Sequence, residues 1–186
     1  MEIDKIMKQL QRKKNVLRTK EGNFELRNLY ETILEKYEQT PLTLPIEDVS
    51  IRRVCQVLTN NNYITHSSCE GHGKTLPQVF FTCKNQDHLR DLVYLVTNEL
   101  SLLSHFQWQI STYSPDPYLN SEKELSYVLE PASWDGKINP QKNQSSLIED
   151  LDFIGISTLR YFNTPWRFTD TDEKIAKAFS LLNEEN

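Results

Sequence analysis

Nine residues, Thr65-His66-Ser67-Ser68-Cys69-Glu70-Gly71-His72-Gly73, lie between two runs that read as β-strands. Tyr63-Ile64-Thr65 leads in, and Val79-Phe80-Phe81-Thr82-Cys83 leads away. This segment constrains the chain more than any other. Gly71 and Gly73 permit left-handed backbone and close approach of the main chain to its surroundings. The same stretch gathers a thiol (Cys69), two imidazoles (His66, His72), a carboxylate (Glu70) and the hydroxyls of Thr65, Ser67 and Ser68.

Apolar spacing organises the rest. Ile3, Met7 and Leu10, with Ile6 beside them, mark one side of a helix. Gly22-Asn23 interrupts that pattern, and Asn23 suits the cap of a second helix carrying Leu26, Leu29, Tyr30, Ile33, Leu34 and Tyr37. Thr40-Pro41 and Leu44-Pro45 end it, because proline disfavours helix in the residue before it. Residues 1–40 thus read as an N-terminal helical hairpin, and residues 45–186 as the main domain. There, Asp48 or Ser50 suits the cap of a helix carrying Ile51, Val54, Cys55 and Leu58, and Asn60-Asn61-Asn62 stops it. After the strand pair, Asn85 or Asp87 caps a helix with Leu89, Leu92, Val93, Val96 and Leu100. Phe106–Ile110 and Leu125–Leu129 read as strands, the first broken by Ser114-Pro115-Asp116-Pro117. Trp134-Asp135-Gly136 reads as a turn and the stretch to Ser146 as polar loop. Ile148, Leu151, Phe153, Ile154 and Leu159 mark a helix, and Ile175, Ala178, Phe179 and Leu182 a last short one. Consecutive strand pairs with helices on one face predict an α+β fold with a mostly antiparallel sheet.

Composition excludes several classes. At 186 residues, with 38% hydrophobic and 10% aromatic content, the chain can bury a core. No run approaches the roughly 18 apolar residues of a membrane span. Met1-Glu2-Ile3-Asp4-Lys5 lacks the features of a signal peptide, which predicts a cytoplasmic location. Three cysteines, Cys55, Cys69 and Cys83, read as free thiols. A net charge of −5 supplies no global pull toward nucleic acid. Yet Lys5, Lys8, Arg12, Lys13, Lys14, Arg18 and Lys20 crowd the first segment. Such an arm reads either as a solvated helix face or as a contact for phosphates.

Three chemistries fit the turn, beside a hairpin whose polar groups merely satisfy one another. His66, Cys69, His72 and Cys83 are zinc-ligand types, with Cys69-x-x-His72 a workable chelating spacing. In a continuing strand, however, His66 and Cys69 would face opposite sides. Cys69 beside His72 is a potential thiolate–imidazolium pair, with Glu70 orienting the imidazole or acting as a base. Ser67, Ser68 and the amides around Gly71 and Gly73 suit a ligand cradle. The glycine spacing is neither a dinucleotide fingerprint nor a phosphate-binding loop.

Asn62-Tyr63-Ile64-Thr65-His66-Ser67-Ser68-Cys69-Glu70-Gly71 resembles the motif region of the wybutosine tRNA methyltransferase family. There a Tyr/Phe-x-Thr strand precedes Ser-Ser-Cys-Ser-Gly-Arg, followed by a strand ending in cysteine and a leucine-rich helix. Val79–Cys83 and Leu89-Arg90-Asp91-Leu92-Val93 occupy the corresponding places, and the similarity covers about residues 46–104. Ser67, Ser68, Cys69 and Gly71 match the motif, whereas Glu70 replaces serine and His72 replaces arginine. An acid and a weaker base in those places weaken anion binding.

The resemblance implies a small α/β domain that uses S-adenosylmethionine to methylate a guanosine derivative in tRNA. On that basis the chain is expected to bind a nucleotide-like ligand or S-adenosylmethionine at the His66–Gly73 turn. Ser67, Ser68, Gly71 and Gly73 would contact the ligand, and Cys69, Glu70 and His72 would carry chemistry. RNA would meet the turn and the basic N-terminal arm. The alternative is a non-catalytic zinc-binding or protein-interaction module that docks through its N-terminal hairpin.

Overall fold

The computed structural model describes residues 1–12, 20–100, 103–113, 126–133 and 136–164. Helices α1 (Ile3–Arg12), α2 (Lys20–Glu38) and α3 (Val49–Asn60) lead into strands β1 (Ile64–Cys69) and β2 (Gln78–Thr82). Helix α4 (Gln86–Tyr94) continues into a π-helical turn, Leu95–Glu99. Strands β3 (Trp108–Tyr113) and β4 (Ser126–Pro131) follow, then the long helix α5 (Pro140–Asn163). The four strands form one sheet in the order β1-β2-β4-β3, and every pairing is antiparallel. This is the α+β class expected from the sequence. No helix among the described residues is long and apolar enough to cross a membrane.

Strand alternation sets the two faces of the sheet. Val79 pairs with Leu129 and Phe81 with Tyr127, and these residues join Trp108 in the core beneath the helices. The other face is polar at its centre. Gln78 Nε2 donates to Glu130 at 2.7 Å, and Gln109 and Ser111 reach the same carboxylate. Phe80 and Tyr113 meet there edge to face, 5.0 Å between ring centres.

Helix α5 organises the helical layer. Asn139 caps it by accepting from the Lys142 amide at 2.9 Å, and Pro140 occupies its first turn. The helix therefore starts at Pro140, so within the stretch expected to be loop residues 137–139 are non-helical and 140–146 are helical. Its buried residues, among them Leu151, Ile154 and Ile156, share one core with Ile51, Val54 and Leu58 of α3 and Leu26, Leu29 and Ile33 of α2. At Gly155 a side chain would run into the ring of Tyr37, so only glycine lets α2 approach so closely. Tyr37 Oη then donates to Asp152 Oδ1 at 2.8 Å, and Arg53 lies over the Tyr37 ring. Near the end of α5, buried Arg160 pairs with buried Glu99 of the π-helical turn.

Several element boundaries differ from the sequence reading. Helix α2 runs through Gly22-Asn23, so Asn23 is interior to it rather than its cap. Packing of the apolar stripe from Leu26 to Tyr37 outweighs the roughly 1 kcal/mol penalty of one helical glycine. Asp4 of α1 pairs with Arg27 of α2 at 2.9 Å, and Lys5 pairs with Glu149 of α5 at 2.9 Å. The connection between α1 and α2, Ser114–Pro117, Trp134-Asp135 and the helix expected at Ile175–Leu182 lie outside the described residues. Asn85 is the cap of α4, accepting from Asp87 and His88, while Asn62 takes the left-handed conformation (φ 69°) that ends the α3 segment.

Strand β3 starts at Trp108 rather than Phe106 because the preceding amides turn toward Asp150. That buried carboxylate accepts from His105 N (2.7 Å), Phe106 N (3.0 Å) and Trp108 Nε1 (3.0 Å). Burial pushes its pKa from the usual 3.8 up to about 6, against the pull of these donors. The folded state therefore retains a proton in that window which the unfolded chain releases. This contribution is fully present below the unfolded value and is lost as pH rises through about 6. In urea denaturation, the stability gap between the wild type and Asp150→Asn is expected to narrow from about pH 4.5 to about pH 7.5.

Candidate functional site

Strand β1 continues past Thr65 as far as Cys69, carrying the first part of the polar segment into the sheet edge. Its register slips at His66. Thr65 stands opposite Phe81, and Ser67 stands opposite Phe80. The extra residue is a β-bulge, which resets the alternation of the strand. His66 and Ser67 now share the space opposite Phe80, and Cys69 follows two residues on, opposite Gln78. The odd spacing between His66 and Cys69 therefore does not separate them across the sheet. On the other side of β1, Thr65 is clipped to α3: its amide donates to Thr59 Oγ1 at 3.2 Å, and the two hydroxyls are 2.8 Å apart.

Beyond Cys69 the chain turns through three successive left-handed residues: Gly71 (φ 84°), His72 (φ 48°) and Gly73 (φ 70°). A side chain at Gly71 would meet the Thr75 carbonyl, and the Lys74 and Thr75 amides close the turn onto the Gly71 oxygen at 2.8 and 3.0 Å. Gly73 packs against Gln144 and Gln141 in the first turns of α5. His72 has a side chain and still adopts this conformation, at a cost of about 1–2 kcal/mol. Strain of that kind collects at functional sites.

The turn brings Cys69 and His72 up to the start of α3. Asp48 occupies the N-cap position there, but its side chain makes no capping bond. Instead, Asp48 Oδ2 accepts from the Glu70 amide at 3.0 Å, and Oδ1 faces His72 Nε2 at 3.3 Å. The ligand atoms of Asp48, Cys69 and His72 lie within 4.8 Å of one another. Each is held from behind. The Gly71 amide donates to Cys69 Sγ at 3.3 Å. Glu70 Oε1 lies 3.4 Å from His72 Nδ1, and Ser50 Oγ donates to the other oxygen of Glu70. In the sequence Asp48 and Ser50 read only as alternative helix caps. Both turn out to serve the site, an assignment that depends on where β1 ends relative to α3.

A cavity of about 530 Å³ opens beside these groups. One wall is the segment Leu44–Asp48; the other is β1, with Thr65, His66, Ser67, Ser68 and Cys69, and His72 at the end. Ser67 and Ser68 thus line the space expected of ligand-contacting residues, with the Ser68 side chain turned to the Cys55 thiol of α3. Gly71 and Gly73 shape the turn and do not line the cavity, and the Gly71 amide is already engaged with Cys69. Cys83 is at the opposite end of the strand pair. β2 is antiparallel to β1, with Gln78 beside Cys69, so Cys83 lies roughly 17 Å along the strand from that end. Its Sγ donates to the Asn85 carbonyl at 3.2 Å. The converging donors are Asp48, Cys69 and His72, in place of the His66–Cys69–His72–Cys83 set read from residue types. Cys55 is buried in the core, where desolvation pushes its thiol pKa up to about 11.

Comparison with protein-family models, curated proteins and solved structures finds no match for this chain.

The turn geometry orders two substitutions. Gly73→Ala is expected to cost about 1–2 kcal/mol, the penalty for a left-handed residue with a side chain. Gly71→Ala adds a collision with the Thr75 carbonyl and is expected to cost more. Thermal denaturation of both variants checks the ranking.

Proposed function

We propose that the protein binds a zinc-type metal ion through Asp48 Oδ1, Cys69 Sγ and His72 Nε2. The observation that carries this reading is the convergence of three different donors, each oriented by a hydrogen-bonding neighbour or a facing carboxylate. A tetrahedral zinc site with bonds of about 2.0–2.1 Å to nitrogen and oxygen has an edge of about 3.3 Å. The Asp48 Oδ1–His72 Nε2 separation is 3.3 Å. Mixed sulfur, nitrogen and oxygen donors suit zinc, whereas magnesium and calcium favour oxygen alone. Glu70 behind His72 repeats the carboxylate–histidine–metal relay that fixes ring orientation in metal sites. This is the metal-binding alternative of the sequence reading, with Asp48 added to Cys69 and His72.

A second reading follows from the resemblance to the wybutosine tRNA methyltransferase family. It places a nucleotide-like ligand or S-adenosylmethionine in the same cavity, with RNA reached through the basic N-terminal segment. The support is that Ser67 and Ser68 line this cavity, whose volume falls within the roughly 300–1,000 Å³ of small-molecule sites. The cavity wall carries Glu47 and Asp48 and neither lysine nor arginine among the described residues, which suits a cation better than a phosphate.

Native mass spectrometry of the purified protein tests both. One equivalent of metal, released on acidification, is expected for the wild type and for Cys83→Ala. Asp48→Ala, Cys69→Ala and His72→Ala are each expected to lose it. Glu70→Gln is expected to bind the metal about 10–100-fold more weakly, as other losses of outer partners do. A wild type that stays metal-free in zinc-containing buffer but retains an adenosine-type ligand would move the assignment to the second reading.

A further inference from the structure

We propose that the metal's fourth coordination position opens into the cavity along β1 and accepts an uncharged small molecule through a lone pair. This inference rests on the metal reading above and assigns the ligand class of that site.

Two observations lead to it. The first is the donor count. Among the described residues the converging set stops at three: Asp48, Cys69 and His72. Glu70 is engaged by Ser50 and faces His72 Nδ1, and Cys83 is at the far end of β2. His66 lies in the cavity wall but outside the converging set. Zinc with three protein ligands keeps a fourth position for water or an exogenous molecule. The about 530 Å³ space between Leu44–Asp48 and the bulged strand is next to that position.

The second observation is the charge of the donors. A metal-bound thiol is deprotonated, and the Asp48 carboxylate supplies a second negative charge. Together they neutralise a dication. The surroundings then tip the balance: Glu70 stands behind His72, Glu47 lies in the wall, and neither lysine nor arginine lines the cavity among the described residues. Arg52 directs its guanidinium to the backbone carbonyls of Ile46 and Glu47. An anionic fourth ligand would enter a site of net negative charge, whereas a neutral donor meets no such repulsion. The hydroxyl of Ser67 can hydrogen-bond the rest of such a molecule, and Leu44, Pro45 and Ile46 provide apolar contact.

The full-length protein loaded with cobalt(II) in place of zinc reports this directly, since the visible absorption of cobalt responds to its ligand set. Pyridine, a neutral ring-nitrogen donor, and nicotinate, the same ring donor carrying a carboxylate, serve as probes. The expected result is a saturable spectral change with pyridine at concentrations at least about tenfold lower than nicotinate requires, roughly 1.4 kcal/mol, because the two share a donor and differ by one negative charge. Equal or stronger response to nicotinate overturns the assignment of an uncharged ligand. No response in the wild type, with a response restored in His66→Ala, makes His66 the closing ligand and overturns the open position. A cobalt spectrum that neither probe perturbs in either protein also overturns it. Failure to take up cobalt at all removes the metal reading itself, and is a distinct result.

Discussion

The Asp48 carboxylate joins the start of α3 to the end of β1, and the candidate site exists because of that junction. One oxygen accepts from the Glu70 amide at 3.0 Å while the other faces His72 at 3.3 Å. At the opposite end of the same helix, Thr59 holds the backbone of Thr65. The helix and the edge strand are therefore pinned at both ends, and the donors of the turn inherit the rigidity of α3. That helix is itself anchored by Ile51, Val54 and Leu58, which share the core with α5.

Local stability is given up in return. An N-cap side chain contributes about 1 kcal/mol when it bonds its own helix, and Asp48 makes no such bond. His72 accepts a left-handed backbone, and the edge strand carries a bulge. Departures from local preference concentrated in one place are what a functional site looks like when the remainder of a fold is self-consistent. The compensation comes from the packed helical layer and from the Asp150 carboxylate, whose three donors fix the entry to β3 against α5.

Charge selects among the chemistries that the residue types leave open. Thiol, imidazole and carboxylate groups together leave a metal, a nucleophile or a polar cradle open on composition. The atoms left facing the cavity bear on that choice. The Gly71 amide, a natural anion donor, points at Cys69 instead. Carboxylates surround His72 on both nitrogens, at 3.3 and 3.4 Å. Electropositive amides turned inward and carboxylates converging on one point favour a cation over an anion.

Helical periodicity and strand alternation made most of the fold legible. The apolar positions of α2 and α3 are buried as their spacing requires, whereas in α4 Leu92 is buried and Val93 is exposed, and antiparallel order follows from short strand pairs flanked by helices. The polar composition of residues 140–146 predicts loop, but the Asn139-Pro140 start signal prevails and the segment is helical. Glycine at Gly22-Asn23 predicts a break because it lowers helix propensity, and packing of the later residues overrides it. For the site, the chain itself determined where donors concentrate and which glycines permit the turn, since these are properties of adjacent residues. Only the tertiary structure decided that Asp48 joins Cys69 and His72, that a bulge changes the facing of His66, and that Cys83 lies at the other end. Those outcomes depend on strand register and on how a helix meets a strand. Register is set by long-range packing, and a shift of one residue reverses every side chain beyond it.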